Sequence, residues 1–411
     1  MQALDDKPLV HADGESAGAA AAALSTATAA PAWLAVASLA ISTFASVTTE
    51  FLPVGLLTGI AASLHVSEGA AGLMVTMPGL VAAVTGPALI IASGRLDRRI
   101  VLLVLSAVLV ASNLLAALAP NLAVMLLARA LLGLVVGGFW TFAPGATGHL
   151  VPAPLQPRAM SYVLAGISLA TIAGVPAGAL LGGLAGWRAA FLASALVAAV
   201  VLALQLKVLP RMPAARAVVP RDLLAPLAEP RARTVLAVAL FLVSGHFVGY
   251  TYMRPMLQQV FGLSNDAVTT LLLAYGVAGF AGTFLGGRMV ARSVRGTALL
   301  AAATIGAVLL LSMLAGQGAV PAAVAVVAWG VAFGLVPVSM TTWMLQALPR
   351  SQEAGQALLV TFFQVALSFG AFVGGLVVDG AGIQSALLLG GVLAIAGAVL
   401  VGWTSATMRT P

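Results

Sequence analysis

Between Glu15 and Glu68 a single charged side chain occurs, Glu50, in the stretch VTTEFLPVGLL (residues 47–57) that otherwise suits a membrane interior. A carboxylate at that depth costs about 2.5–3.5 kcal/mol on insertion scales. Two further polar groups share this setting: Arg129 interrupts ARALLGLVVGGFW (128–140), and His246 stands in FLVSGHFVGYTYMRP (241–255) ahead of Tyr250, Tyr252 and Arg254. Carboxylates, guanidinium groups and imidazoles within spans are the parts from which proton and solute paths are made. A desolvated carboxylate favours its neutral form, and a neighbouring guanidinium favours the charged one. Held between these influences, Glu50 is expected to load a proton on one side and release it on the other. Pro53 strengthens the case, because it leaves the carbonyl of Thr49 without its helical donor. The plainer readings are a structural glutamate bonded to another helix, an arginine reaching for the interface, and a histidine used for packing.

The elements that must position these groups follow from composition. Of the 411 residues, 61% are hydrophobic and 8% charged, with mean hydropathy +1.09. Soluble domains carry about 25% charged residues, so the chain is read as an integral membrane protein. Twelve apolar spans are expected, near 32–64, 70–93, 100–119, 121–148, 158–186, 188–208, 233–261, 267–290, 297–316, 319–347, 354–379 and 382–404. Ten-residue alternating segments, the mark of a membrane barrel, are absent.

The net charge of +7 fits a topology rule better than a nucleic-acid surface. With both termini cytoplasmic, 16 of the 19 Lys and Arg residues fall on the cytoplasmic side, leaving Arg188 and Arg254 near the other face and Arg129 within a span. That is the positive-inside bias. The absence of cysteine excludes disulfides and thiolate metal sites, and no metal or cofactor is expected.

The spans repeat. GALLGGL (178–184) matches GAFVGGL (370–376) at an offset of 192 (370 minus 178), and GLVVG (133–137) matches GVAFG (330–334) at 197 (330 minus 133). GRLDRRIVLL (94–103) and GRMVARSVRGTALL (287–300) pair more weakly at 193 (287 minus 94). The chain therefore divides into a tail, 1–31, read as disordered; a six-span half, 32–208; a Pro/Arg-rich cytoplasmic linker, 209–232; a second half, 233–404; and a tail, 405–411. In this register Glu50 lies 17 residues before Ser67 and His246 lies 18 before Ser264, so the two occupy equivalent helices at similar depth. Counted inward at 1.5 Å per residue, Glu50 lies about 18 Å deep and Arg129 about 12 Å, close enough to interact if their faces meet.

Three motifs extend this reading. GRLDRR (94–99), between the second and third spans, resembles the loop motif of the major facilitator superfamily in a shortened form without its second glycine. Gly94, Asp97, Arg98 and Arg99 fit, which implies a latch on one conformation; an ordinary basic loop is the alternative. Arg129 and the glycines after it resemble an element of the drug:proton antiporter branch. AGVPAGALLGGLAGWR (173–188) resembles that branch's fifth-span motif with Pro176 displaced, so Gly174, Pro176, Gly178 and Gly182 join Pro53 as bending and packing positions; plain small-residue packing is equally open.

TTEFLPVGLL, GLVVGGFW, TYMRP and WGVAFGLVPVSMTTW (329–343) together resemble bacterial purine ribonucleoside and sugar efflux transporters of that twelve-span family. The resemblance implies an all-helical fold of two pseudo-symmetric six-helix halves, which alternate access to a midplane site. It also implies proton-coupled efflux of a small organic solute from a bacterial inner membrane. Uptake by symport is the first alternative; a receptor or an intramembrane enzyme is remote, because no catalytic cluster accompanies Glu50. Glu50, His246 and Arg129 are the expected proton-coupling set. Thr49, Phe139, Trp140, Tyr250, Tyr252, Arg254, Tyr275 and Gln364 are the expected substrate contacts, with Trp329, Trp343, Phe362 and Phe363 as further wall candidates. The expected partners are a small-molecule substrate, protons and the lipid bilayer, with no nucleic acid, and the chain is expected to act as a monomer.

Overall fold

The computed structural model describes residues 13–93, 96–213, 225–314, 316–349 and 351–407, all of whose regular elements are helical. Helices α1 (Asp13–Leu64), α2 (Glu68–Ser93), α3 (Arg98–Ala117) and α4 (Leu122–Leu150) come first. Then α5 (Gln156–Leu169) runs through a π-helical turn, Ala170–Gly174, into α6 (Val175–Ala185), and α7 (Trp187–Val208) completes the half. The second half holds α8 (Pro230–Tyr250), the short α9 (Met253–Gln259), α10 (Asn265–Val290), α11 (Val294–Ser312), α12 (Ala319–Ala347) and α13 (Gln352–Thr407).

Eleven helices among the described residues are long and apolar enough to cross a membrane. The last of these, Ala354–Trp403, is 50 residues long, about twice the roughly 20 that span a bilayer. It breaks at Gly382, whose φ of 81° and ψ of 170° leave the helical region. It therefore supplies two crossings, and the expected twelve are accounted for. Large apolar side chains such as Leu184, Leu314, Val320 and Trp403 are more than two-thirds exposed and clothe the outside of the bundle. Only lipid makes that arrangement favourable.

The segment 13–31, expected to be part of a disordered tail, is instead continuous with α1, and its alanine-rich run explains why. Residues 1–12, Gly94, most of the linker (214–224) and 408–411 lie outside the described residues.

The internal repeat can be followed atom by atom. Gly133 of α4 lies against the carbonyl of Pro78 on α2, and Gly330 of α12 lies against that of Tyr275 on α10. Gly137 faces the carbonyl of Ala82, and Gly334 that of Gly279. Each pair is displaced by 197 residues (330 minus 133; 279 minus 82). A threonine also bonds across each crossing, at acceptors one turn apart in this register: Thr85 donates to the Gly133 carbonyl at 3.3 Å and Thr283 to the Gly334 carbonyl at 3.4 Å. Missing side chains at these points let backbones touch, as membrane helix pairs require in place of a hydrophobic driving force.

Two ends of the bundle can be told apart by their loops. The turn end carries the α1–α2 and α9–α10 turns; the linker end carries Asp97, Met212 and Pro230. At the turn end the halves are bonded together. The Ser67 hydroxyl and the Gly69 N–H of α2 both donate to the Asp379 carboxylate of α13, the latter at 2.9 Å. Gln259 Nε2 donates to Glu68 at 3.1 Å, and Arg254 Nε donates to Thr58 at 3.0 Å.

Candidate functional site

Glu50 lies on α1 and is 4% exposed. Its carboxylate accepts from Gln364 Nε2 of α13 at 3.3 Å, a hydrogen bond that crosses from one half to the other. The crossing is tight: Gly79 of α2 rests beside the Gln364 carbonyl and the Ser368 hydroxyl of the opposing helix.

Arg129 is fully buried on α4 and reaches the same point by a different route. Its guanidinium donates from Nη1 to the Thr49 carbonyl at 2.7 Å, from Nη2 to the Glu50 carbonyl at 2.6 Å and from Nε to the Met74 carbonyl of α2 at 2.7 Å. Pro53 explains the first contact. It has no N–H for the carbonyl four residues earlier, and Arg129 supplies the missing donor. The planar fork thus ties α4 to α1 and α2 through backbone oxygens, with none of its three bonds made to the Glu50 carboxylate. Thr49 bonds to Ala45 O at 2.8 Å and pairs with Asn113 of α3, whose Nδ2 is 3.2 Å away. Thr49 and Asn113 hold α1 to α3 below the acid.

Beside Glu50 on α1, Phe51 leads into an aromatic cluster shared by both halves. Its ring centre is 5.8 Å from that of Phe247 and 5.9 Å from that of Tyr250. His246 of α8 stacks on Phe333 of α12 and accepts a hydrogen bond from Trp329 Nε1 at 3.0 Å. Tyr275 of α10 closes the cluster, its ring centre 5.1 Å from that of Tyr250. Phe363 touches its edge through Phe247. Glu50, Arg129, Thr49, Gln364, His246, Tyr250 and Tyr275 are therefore gathered around one crossing of the two halves.

Other expected contacts lie elsewhere. Phe139 and Trp140 form an edge-on pair, and Phe139 packs with Leu105 and Phe142 inside the first half. Tyr252 donates to the Ala371 carbonyl at 3.0 Å and packs against Gly72 and Gly375, so it seals the α2–α13 contact. Arg254 bonds Gly55, Thr58 and Asn265 in the turn-end closure. Trp343 lies under Arg295, 5.7 Å from the guanidinium. Gly174, Gly178 and Gly182 admit Thr48, Leu52 and Leu56, which packs α6 on α1, and Pro176 follows the π-helical turn.

Three rings of the cluster, Phe51, Phe247 and Phe333, and two polar contributors escaped the sequence reading. Asn113 carries the signal of any polar residue within a span, and Ser368 the same; the Ser368 hydroxyl is buried without a partner. At the linker end Asp97 caps α3, accepting from Arg99 N–H at 2.9 Å, and also accepts from Met212 N–H at 2.8 Å. Arg98 N–H returns a bond to the Met212 carbonyl at 2.9 Å, and its guanidinium lies over Phe142. Arg99 Nη2 donates to the Leu206 carbonyl at 2.9 Å. The Met212 N–H first, then that of Arg99 and the charges of Arg211 and Arg99, hold the Asp97 carboxyl below the ordinary carboxylate range against its partial burial.

Comparison with known proteins places this geometry in context. The family model of the Major Facilitator Superfamily matches residues 39–362. Purine ribonucleoside efflux pumps NepI of Salmonella enteritidis PT4 and Salmonella typhimurium LT2 are each 34% identical over 377 residues, covering 90% of this chain and 94% of theirs. Among solved structures, a bacterial homologue of the human lysosomal transporter Spinster, inward-facing and occupied, superposes with a TM-score of 0.70 at 14% identity. It covers 91% of this chain and 97% of its own. The unoccupied form gives 0.66 at 17% identity, covering 92% and 95%.

Proposed function

This chain belongs to the Major Facilitator Superfamily, and is therefore a multi-pass membrane transporter and not an enzyme; from that premise we propose that it exports a purine ribonucleoside in exchange for protons. The cargo follows from the likeness to the NepI pumps over nine-tenths of the chain. The coupling rests on one observation, the buried Glu50 carboxylate held across the halves by Gln364. An acid bonded in this way joins the halves in one arrangement and is freed when they part. A proton bound from one side replaces the lost charge interactions while cargo is exchanged, which couples the two movements. Asp379, Glu68 and Arg254 close the turn end, which supports opening at the linker end, and the bias of basic residues supports a cytoplasmic position for that end in a bacterial inner membrane.

The test uses inside-out vesicles loaded by an imposed proton gradient, with inosine, arabinose and a lipophilic cation compared. Inosine accumulation that collapses when the gradient is removed is expected. Glu50→Gln is nearly isosteric and should abolish gradient-driven accumulation while preserving inosine–inosine exchange. Gradient-dependent accumulation of inosine by Glu50→Gln at the wild-type rate would exclude Glu50 as the carrier.

A further inference from the structure

His246 and Glu50 occupy equivalent helices, yet their surroundings assign them different work. The His246 imidazole is fully buried, with Phe333 stacked 3.7 Å away and 9° from parallel, and Tyr250 at 5.1 Å and 20°. In its plane, Trp329 Nε1 lies 3.0 Å from Nδ1. An indole N–H can only donate, so Nδ1 must be the acceptor and bear no hydrogen. A neutral imidazole then carries its proton on Nε2. That nitrogen is buried without a partner, and so is the hydroxyl of Tyr275. Two hydrogen-bonding groups thus stand unpaired among the rings of Phe51, Phe247, Tyr250, Trp329 and Phe333.

A second proton on His246 would have to enter at Nδ1, facing the Trp329 N–H. The titratable groups on the elements packed around it are Tyr250 on its own helix, Tyr275 on α10 and Glu50 on α1, beside Phe51. None of these bonds to the imidazole to hold that proton. Nδ1 is blocked by a donor, and Nε2 is already occupied.

We propose that His246 is a hydrogen-bond donor of fixed tautomer that, with the Tyr275 hydroxyl, selects cargo, and that it does not carry the coupling proton. The ligand chemistry is a flat heterocycle whose edge presents a carbonyl oxygen or an unprotonated ring nitrogen. The surrounding rings supply stacking faces, and an analogue without the edge acceptor leaves the buried donors unpaired and is rejected. This deepens the nucleoside reading above and rests on it for the identity of the cargo.

The tautomer can be read without any cargo. Nitrogen-15 spectra of the full-length protein labelled at its four histidines, with His246→Gln assigning the signal, should show Nε2–H and bare Nδ1 throughout about pH 5.5–8. Trp329→Phe removes the donor that keeps Nδ1 bare and should let the His246 signal show both neutral tautomers. Binding of inosine then tests selection. His246→Gln, whose amide nitrogen replaces Nε2, should bind within about threefold of wild type, and His246→Phe should lose about tenfold, the worth of one hydrogen bond. The pH profile of wild-type inosine binding should be unchanged in His246→Gln. A wild-type signal with Nδ1–H, or one that titrates in this range, overturns the fixed donor. Equal binding by His246→Phe overturns the selecting role. Failure of wild type to bind inosine refutes the cargo reading, and the spectra still decide the tautomer.

Discussion

Arg129→Met, made alone and together with Pro53→Ala, tests what the buried arginine is for. In the structure its three bonds go to main-chain oxygens on α1 and α2, one of them the Thr49 carbonyl deprived of its helical partner by Pro53. Hydrogen bonds between membrane helices average about 0.6 kcal/mol and reach about 1.7. Three of them make Arg129→Met cost about 2–5 kcal/mol. Pro53→Ala restores an N–H four residues beyond Thr49, so one of the three acceptors no longer needs the arginine. In that background the cost should fall by about 0.6–1.7 kcal/mol. Equilibrium unfolding of the four proteins by titration with SDS, followed by helix content, gives the cycle directly. A parallel cycle with Glu50→Gln separates the alternative. That substitution leaves the main chain intact, so Arg129→Met should cost the same within about 0.5 kcal/mol. Equal costs with and without Pro53, joined to strong coupling with the Glu50 side chain, would refute backbone support and restore a carboxylate–guanidinium pair.

Asp97→Asn should slow turnover without weakening inosine binding, and should speed tryptic cutting at Arg211, because the Met212 N–H loses its charged acceptor. Asp97 binds its proton less readily when engaged than when released, so the contact is at full strength above about pH 4. It is lost as the pH falls through the lowered value, and peptic cutting of wild type near Met212 should rise only there. At the repeated helix crossings, Gly137→Leu and Gly334→Leu place side chains against carbonyls of the neighbouring helix. Each should cost about 1–3 kcal/mol or more by overpacking. Gly287→Ala, which meets nothing nearby, should be neutral in the same unfolding assay.

The architecture was readable because a membrane writes it in simple terms: span length, basic loops and glycine-bearing repeats. Depth brought Glu50 and Arg129 to comparable levels, so that they could meet if their faces turned toward each other. What depth could not give was direction around each helix. In a helix apolar on every side no face is marked, so Phe139 and Trp140 were expected with the substrate contacts, and they pack with Leu105 and Phe142 instead. The free carbonyl left by Pro53 was legible, but not that Arg129 would fill it, since a charged side chain suggests a charged partner first. Tyr252 and Arg254 stand two and four residues beyond Tyr250 in one motif, yet the end of α8 and the turn before α9 carry them to the turn-end closure. The bond from Met212 to Asp97 joins segments 115 residues apart and had no local trace.

The Asp379 contact has a consequence for how the turn end opens. The first N–H groups of any helix lack partners within it, and α2 meets part of that need with Ser67 from its own chain segment and part with a carboxylate belonging to the other half. Parting the halves there uncaps α2 at the Gly69 amide and hands that amide to water. Hydrogen–deuterium exchange at Gly69 should therefore follow the population of the open state, with no fluorophore, cargo or gradient needed. Conditions that bias the transporter toward either state would register at this one amide as faster or slower exchange.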